Sequence, residues 1–254
     1  MTAFLFDGIL DMNNTAPLFS IVVPAYDEER YLPRCLDAIH RSIAQLGEDV
    51  EIIVVDNESH DGTVAVAREH GARVVTETAK NLSCIRNRGA QAARGRYLVF
   101  VDADSYMSSA MLTEIRRVID SGRYVGGGVL DVRPDRWSLG IFMHAVILGL
   151  AFLLFWRRLS VCLFYTTREA FEAVGGFNES LYAVEDIDFA HRLWRHGREK
   201  GLRYKNLITA HLVTSTRKFD EYGDWMAFRH PGKVFRALRN DRAAAHDFWY
   251  RRRR

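Results

Sequence analysis

Residues 97–104 have the sequence YLVFVDAD, five apolar residues followed by two aspartates that a single alanine separates. The run of aromatic and branched residues predicts a strand buried on both faces of a parallel sheet. Ligands of open α/β sheets bind at the carboxyl ends of the strands. We therefore expect Asp102 and Asp104 to lie at a binding site.

The two aspartates form a D-x-D pattern. Because side chains alternate along an extended segment, Asp102 and Asp104 point the same way. Two facing carboxylates repel each other unless a cation lies between them, and Mg²⁺ and Mn²⁺ take oxygen ligands and also bind substrate phosphates. The pair therefore predicts a metal-diphosphate site. The alternative is a strand-end turn in which one aspartate caps a helix that begins near Ser108.

Strands and helices alternate in the first hundred residues. Apolar runs at 19–24 and 51–55 predict strands, as does 73–76, and helical patterns occur after the first strand, at 65–70 and at 81–94. This alternation predicts βαβ units and a parallel sheet. No glycine-rich dinucleotide or P-loop pattern follows a strand, so those two classes lose their main support.

Composition limits the class of protein and the compartment in which it is expected. The 254 residues, 48% of them hydrophobic, can bury a full core. Three widely spaced cysteines make neither a disulfide framework nor a cysteine-based zinc site and suit a reducing cytosol. The first eighteen residues contain two aspartates and no basic region, which predicts that they are not a secretory signal.

An uncharged apolar segment occupies residues 139–156. As a helix it would be about 27 Å long, close to the thickness of a hydrocarbon core. Burial in the domain, a helix-helix contact in a homodimer and insertion into a membrane from one side would each cover it.

The basic charge is concentrated at the end of the chain. Residues 229–254 hold nine lysines and arginines and two aspartates, a net +7 within a total of +3. With the terminal FWYRRRR, this composition favours an anionic membrane surface. No nucleic-acid module accompanies it, so nucleic acid is not an expected partner. A solvated tail is the alternative.

Four motifs follow one another in the order VVPAYDEE, VVDNESHDGT, RNRGAQAARGRYLVFVDAD and EAVGGFNESLYAVEDIDFAHRLWRHG. This series resembles the inverting family 2 glycosyltransferases with the GT-A fold. The resemblance implies an α/β domain over residues 19–218, with a mostly parallel mixed sheet flanked by helices. Residues 1–18 would be an N-terminal extension and residues 219–254 a basic, aromatic C-terminal extension.

The resemblance also assigns site residues. Asp186 would be the catalytic base, with Glu185 beside it to position the acceptor or the base. Asp104 would bind Mn²⁺ or Mg²⁺, and His211 is a candidate further ligand. The nucleotide-binding residues would be Pro24, Ala25, Tyr26, Glu28, Asp56, Arg86 and Asp102.

An ordinary structural role is the alternative at several of these positions. Asp56 could form a turn, Arg86 could lie on a solvated helix face, and His211 could be a packed residue. Glu28, Glu185 and Asp186 could be charges on the first turn of a helix. For Asp188 we expect only an ion pair with Arg192, four residues later on the same helix.

The resemblance implies transfer of a sugar, of the hexosyltransferase type, from a UDP- or GDP-sugar to a hydroxyl acceptor, lipid-linked or polysaccharide. The donor base stays open because Asp56 can accept from the N–H of uracil or of guanine. We expect a cytoplasmic protein, peripheral on the inner face of a membrane. Alternatives are a sugar-nucleotide pyrophosphorylase and a non-catalytic scaffold with the same fold.

Overall fold

The computed structural model describes residues 16–155, 162–229 and 232. The elements in chain order are β1 (Phe19–Ala25), α1 (Leu32–Leu46), β2 (Val50–Asp56), α2 (Thr63–Glu69), β3 (Arg73–Thr76), α3 (Leu82–Ala92), β4 (Tyr97–Val101), β5 (Ser105–Met107), α4 (Met111–Asp120), β6 (Tyr124–Val129), β7 (Val132–Pro134), α5 (Leu139–Phe155), β8 (Leu163–Thr167), α6 (Arg168–Ala173), α7 (Glu185–Glu199), β9 (Arg203–Leu207), β10 (Leu212–Thr214), α8 (Arg217–Tyr222) and α9 (Met226–Arg229).

A seven-stranded sheet with the order β3-β2-β1-β4-β8-β6-β9 forms the centre of the molecule. Strand β8 runs antiparallel to β4 and β6, and the other neighbouring pairs are parallel. Strands β1 and β4 are buried along their whole length, as continuous apolar runs in a parallel sheet require. The predicted mostly parallel mixed sheet flanked by helices is confirmed.

The core lies on both faces of this sheet. One cluster of buried side chains joins the sheet to α1 and α4, and a second joins it to α3, α6 and α7. Helix α3 approaches very closely, because a Cβ added at Gly89 would lie 2.3 Å from a methyl carbon of Val22. Because the second cluster contains side chains of both α3 and α7, these two helices lie on the same face of the sheet.

Strand register brings the ends of β1, β2 and β4 to one edge. Ala25 pairs with Asp56, and Val22 pairs with Phe100, two residues before Asp102. The aspartates predicted from the sequence thus lie beside the chain that leaves β1. This is the edge at which parallel α/β sheets bind ligands.

A small sheet with the order β5-β10-β7 covers part of that edge. Strand β10 is antiparallel to β5, and the backbone N–H of Ser215 donates to the carbonyl of Asp104 at 3.0 Å. The residues after β10 are therefore held against Asp104. Strand β5 lies between the aspartates and α4, which begins at Met111 with Ala110 as its N-cap, so neither aspartate caps that helix as the alternative interpretation had it.

The apolar segment forms α5, which ends at Phe155, and Trp156 lies outside the described residues. Strand β7 before α5 pairs with β10, and β8 after it pairs with β4 and β6. Among the residues that the structure describes, no helix has the length and apolar character needed to span a bilayer. The proposed N-terminal extension is undescribed up to residue 15, and the C-terminal extension is undescribed beyond residue 229 except for residue 232.

Candidate active site

A cleft opens at the edge where β1 and β4 end. It contains most of the residues predicted from the sequence, namely Pro24, Ala25, Tyr26, Glu28, Asp102, Asp104 and Glu185. It also contains residues that the sequence did not indicate, namely Lys80, Asn81, Leu82, Ile85 and Tyr182. Arg217 and Lys218, from the start of α8, complete its wall.

Arg86 connects the acidic residues of this region. Its side chain is 2% exposed, and its Nη2 donates to Oδ1 of Asp102 at 3.0 Å. Its Nη1 donates to Oδ1 of Asp186 at 2.7 Å and to Oε1 of Glu185 at 3.3 Å. One guanidinium thus joins carboxylates from the end of β4 and from the first turn of α7.

The charge of Arg86 is retained despite its burial. Loss of solvent opposes the charge, but the carboxylates of Asp186, Asp102 and Glu185 together raise the pKa of Arg86. The structure places Arg86 on the buried face of α3, and its terminal nitrogens face carboxylates. Its predicted contact with phosphate stays a prediction.

Asp186 has an unusual environment for a carboxylate. Burial raises its pKa to about 7, and the charges of Glu185 and Asp102 act in the same direction, while Arg86 opposes them. A base with a pKa near the working pH is well matched to proton transfer. The role of Asp186 as the general base stays a prediction.

Helix α3 also holds the loop of residues 174–184, which leads to Glu185 and Asp186. Asn81 caps α3 by accepting from the N–H of Ser83 at 2.8 Å, and its Nδ2 donates to the carbonyls of Glu179 and Leu181. Asn87 accepts from the N–H of Phe177 at 2.8 Å. The only sequence signal for this support is an asparagine in a helix N-cap position.

A second contact fixes the loop from the side of α7. Arg192 donates to the carbonyls of Val174 and Gly176, at 2.6 and 2.7 Å, across the tight Gly175-Gly176 turn, whose φ values are 75° and 66°. It also donates to Asp188 at 2.7 Å, which confirms the expected pair within the helix. Both ends of the loop are therefore bonded to helices.

Val184 precedes the acidic pair with a φ of 59°. A branched residue rarely adopts this left-handed conformation, which costs an L-residue roughly 1–2 kcal/mol. Strain of this kind is often found at functional sites. Here it sets the direction in which Glu185 and Asp186 enter α7.

Arg217 holds the other side of the cleft. Its Nε lies 3.0 Å from Oδ2 of Asp104, and its Nη1 donates to Oε2 of Glu28 at 2.6 Å. The guanidinium also lies over the ring of Tyr31, 5.2 Å from its centre. Burial raises the pKa of Asp104, and Arg217 opposes that shift. A cation is thus already paired with the predicted metal ligand.

The donor chemistry of Asp104 fits a hard divalent ion. In the described part of the chain, no three histidine, cysteine, aspartate or glutamate side chains group as a ready metal site. Mg²⁺ commonly needs only one or two carboxylates, with substrate phosphates and water as its other ligands. Asp104 supplies one such carboxylate, and its role as a metal ligand stays a prediction.

His211 lies apart from Asp104. Its carbonyl accepts from the N–H of Ser108 at 3.0 Å, whereas Asp104 bonds to Ser215. These two pairs stand at opposite ends of the short β5-β10 ladder. The ladder thus separates the backbone of His211 from that of Asp104, and the assignment of His211 as a metal ligand stays a prediction.

Asp56 and Tyr26 lie where the first two strands end. Asp56 is buried, and its Oδ1 accepts from the N–H of Ser59 at 3.2 Å, so it forms the turn after β2. The ammonium of Lys80 lies 4.5 Å from the centre of the Tyr26 ring. This wall combines an aromatic face with a cation, and the assignment of both predicted residues to the nucleotide stays a prediction.

Comparison with known proteins gives a consistent result. The family described as glycosyl transferase family 2 matches residues 20–172. The uncharacterized glycosyltransferase EpsJ of Bacillus subtilis is 35% identical over 127 residues, which cover 47% of this chain and 36% of EpsJ. The undecaprenyl-phosphate 4-deoxy-4-formamido-L-arabinose transferase of Aeromonas hydrophila is 30% identical over 137 residues, or 50% of this chain and 41% of that protein. The chain thus spans less than half the length of either relative.

The fold has solved counterparts. The mannosyltransferase PcManGT of Pyrobaculum calidifontis, solved with GDP-Man and Mn²⁺, superposes with a TM-score of 0.62. The likeness covers 91% of this chain and 70% of that one at 18% identity. At that identity the comparison concerns the fold alone, and it confirms the predicted GT-A class. The predicted family resemblance is confirmed by the family match.

Proposed function

The chain belongs to glycosyl transferase family 2, and on that premise we propose that it transfers a sugar from a nucleoside-diphosphate donor to a hydroxyl acceptor. The observation that carries this proposal is the set of contacts of Arg86. They bring Asp102, near the expected nucleotide, and Asp186, the expected base, to the same guanidinium. Asp102 and Glu185 line the cleft, and Arg86 bonds both of them and also Asp186, which lies next to Glu185.

The chemistry follows from the position of Asp186. Its carboxylate takes the proton of the acceptor hydroxyl while that oxygen forms a bond to the anomeric carbon. The bond from this carbon to the diphosphate oxygen breaks on the opposite face, so the configuration inverts. The nucleoside diphosphate leaves with the bonding electron pair, and Asp186 keeps the proton.

The donor side of the cleft carries positive charge. Lys80, Arg217 and Lys218 line it, and ammonium and guanidinium groups suit phosphate oxygens. Pro24, Ala25, Tyr26 and Asp56 would hold the base and ribose of a UDP- or GDP-sugar. Glu28 bonds to Arg217 and would set the direction of that guanidinium.

Asp104 would hold the divalent ion, Mn²⁺ or Mg²⁺, with the donor's phosphates as further ligands. When bound, the ion would supply positive charge to the departing diphosphate. The presence of Mn²⁺ with GDP-Man in the structure of PcManGT supports this choice of ion.

The acceptor and its location are the finer part of the proposal. A relative that is named for undecaprenyl phosphate supports a lipid-linked acceptor. The enzyme would then work as a peripheral protein on the cytoplasmic face of a membrane, with residues 19–218 as the catalytic domain and residues 219–254 as a basic extension. The alternative is that α5 contacts the same helix of a second chain in a homodimer.

A thermal-shift panel tests the proposal. We expect UDP or GDP to raise the melting temperature of the full chain, and Mn²⁺ to increase that shift, because a ligand that binds only the folded state stabilises it. CDP, which carries a different base, is the control nucleotide. The variant Asp104→Asn should keep the metal-free shift and lose the increase with Mn²⁺. No shift with any nucleotide would instead favour the non-catalytic scaffold.

A further inference from the structure

Among the side chains that the structure describes, those in the first turns of helix α5 anchor it to the domain. Ile141 is buried, and a Cβ added at Gly140 would lie 2.5 Å from the backbone of Asp224. His144 packs edge-on against Phe219 and Phe228, with ring centres 5.2 and 5.0 Å apart. These contacts hold the first turns of the helix, residues 139–144, against α8 and α9, and we call this part of α5 its root.

Beyond His144 the helix leaves the domain. Every residue from 145 to 150 whose side chain the structure describes is exposed, with Ile147 49% and Leu150 53% exposed. Residues 145–156 have the sequence AVILGLAFLLFW, without a charge and with no side chain more polar than tryptophan. All faces of this helix are therefore apolar, whereas a surface helix normally buries one apolar stripe.

This all-round character favours lipid over a protein partner. A second helix would cover one stripe of α5 and leave the other faces in water, whereas acyl chains would surround it. Eleven residues, 145–155, extend about 16 Å as a helix, roughly half of a hydrocarbon core. Because β7 and β8 both belong to the folded domain, the chain must return to the side from which it came. The length and topology fit entry into one leaflet.

Exposed aromatic residues surround the root of α5. Trp137 is 60% exposed and contacts the ring of Phe142, and Trp225 contacts Phe228, which in turn packs on His144. Tryptophan and other amphipathic rings concentrate at the boundary between headgroups and acyl chains. The root of the helix therefore has the side chains expected at that boundary.

The charges near the root complement anionic headgroups. The carboxylates of Asp220 and Asp224 are both bonded to Arg136, which neutralises them in part. Phe228 of α9 lies at the root, and in the sequence the basic residues of the C-terminal extension begin with the next residue, Arg229. Each such cation near an anionic surface contributes roughly 1 kcal/mol.

We infer that α5 inserts into one leaflet of an anionic lipid bilayer, with Trp137, Trp225 and Phe228 at the level of the headgroups. This inference rests on the exposure and position of α5 and is independent of the proposed chemistry.

A consequence for catalysis does rest on the proposed function. Arg217 lines the cleft, and Phe219, two residues later in α8, contacts His144 at the root of α5. Insertion would therefore hold the mouth of the cleft near the headgroups, where a lipid-linked hydroxyl acceptor is presented.

Flotation with lipid vesicles tests the insertion. The full chain is mixed with vesicles of phosphatidylcholine, with or without phosphatidylglycerol, at low and high salt. We expect the wild type to float with the anionic vesicles, and the double variant Ile147→Asp/Leu150→Asp to bind at least about tenfold more weakly, because a charged side chain in hydrocarbon is costly. The matched control is Ile208→Asp, since Ile208 is 64% exposed on the turn after β9. It should float like the wild type.

A second readout separates insertion from adsorption. Phospholipids brominated on their acyl chains should quench the tryptophan emission of the wild type and of Ile208→Asp, and quench the double variant far less. A wild type that stays in the soluble fraction would overturn the inference. So would a double variant that floats like the wild type, because the basic tail alone would then explain binding. A wild-type dimer that does not float and that the double variant dissociates would assign α5 to a second copy of the chain.

These outcomes are distinguishable from failure of the proposed function. The double variant should keep the nucleotide-induced thermal shift of the wild type. Flotation without any nucleotide shift would leave the insertion intact and remove the transferase proposal.

Discussion

Nε of Arg217 lies 3.0 Å from Oδ2 of Asp104, so the carboxylate assigned to a divalent ion is already paired with a cation. The same guanidinium bonds to Glu28. A metal ion that binds Asp104 must therefore displace Arg217 or share the carboxylate with it. This competition makes the metal affinity of the nucleotide-free protein depend on residue 217.

We predict that Arg217→Gln binds Mn²⁺ more tightly than the wild type in the absence of nucleotide. A like charge 4 Å away costs about 1 kcal/mol in water and about 4 kcal/mol at an effective dielectric constant of 20. Its removal should lower the Kd for Mn²⁺ by at least about fivefold, as titration calorimetry would measure. Arg203→Gln, at an exposed position on β9, is the control and should leave the Kd unchanged. Unchanged or weaker Mn²⁺ binding by Arg217→Gln would argue against the competition.

Arg86 should be important for stability. Replacing it with leucine leaves three neighbouring carboxylates without their shared cation, and breaking a buried ion pair from one side typically costs about 3–5 kcal/mol. We expect Arg86→Leu to lower the free energy of unfolding by that amount in urea. Arg88→Leu, two residues later on the exposed face of α3, should change it by less than about 0.5 kcal/mol. Equal effects of the two substitutions would remove Arg86 from its connecting role.

The raised pKa of Asp186 predicts opposite pH trends for activity and stability. Only the ionised carboxylate is a base, so kcat/KM should rise with pH and level off above about 7. Between about pH 4 and 7 the carboxyl group of Asp186 is protonated in the folded protein but ionised in the unfolded chain. The contribution of Asp186 to the free energy of unfolding should therefore fall as the pH rises through this range. Both trends should be weaker in Asp186→Asn. An activity profile flat from pH 5 to 8 would be inconsistent with this assignment.

The strain caused by the left-handed conformation of Val184 can be measured by comparing the stabilities of two substitutions at this position. At φ 59° glycine has no Cβ to strain, so Val184→Gly should be more stable than Val184→Ala by roughly 1 kcal/mol. At Val174, where φ is −89°, the order should reverse, because glycine then only adds freedom to the unfolded chain. Thermal unfolding of the four variants gives both differences. The same order at the two positions would mean that residue 184 is not strained.

The sequence predicted the central strands well because each is a continuous apolar run that ends in polar or turn-forming residues. It also placed Asp102 and Asp104 correctly, since the end of a buried parallel strand has one location in the sheet. Helix α3 held a further signal. Arg86 shares a helix face with the small residues Ser83 and Ala90, both buried in the structure, whereas the sequence alone left a solvated face open for it.

What the sequence could not provide depends on distant contacts. Strand β10 has three residues, too few for a pattern, and its register alone separates His211 from Asp104. The partners of Arg86 on α7 lie 99 and 100 residues away, and no local pattern specifies them. The pairing of Arg217 with Asp104 likewise results from how the small sheet folds over the cleft.

Turnover by Asp186→Asn tests the central claim most directly. Wild type and variant are compared for sugar transfer and donor hydrolysis over a panel of nucleotide sugars with Mn²⁺, with nucleotide affinity measured in parallel. We predict a loss of about 10²–10⁴ in turnover with nucleotide affinity nearly unchanged, because only the proton acceptor is lost. Glu199→Gln, at the exposed end of the same helix, should match the wild type. Near-wild-type turnover by Asp186→Asn would contradict the assignment of Asp186 as the base of this cleft.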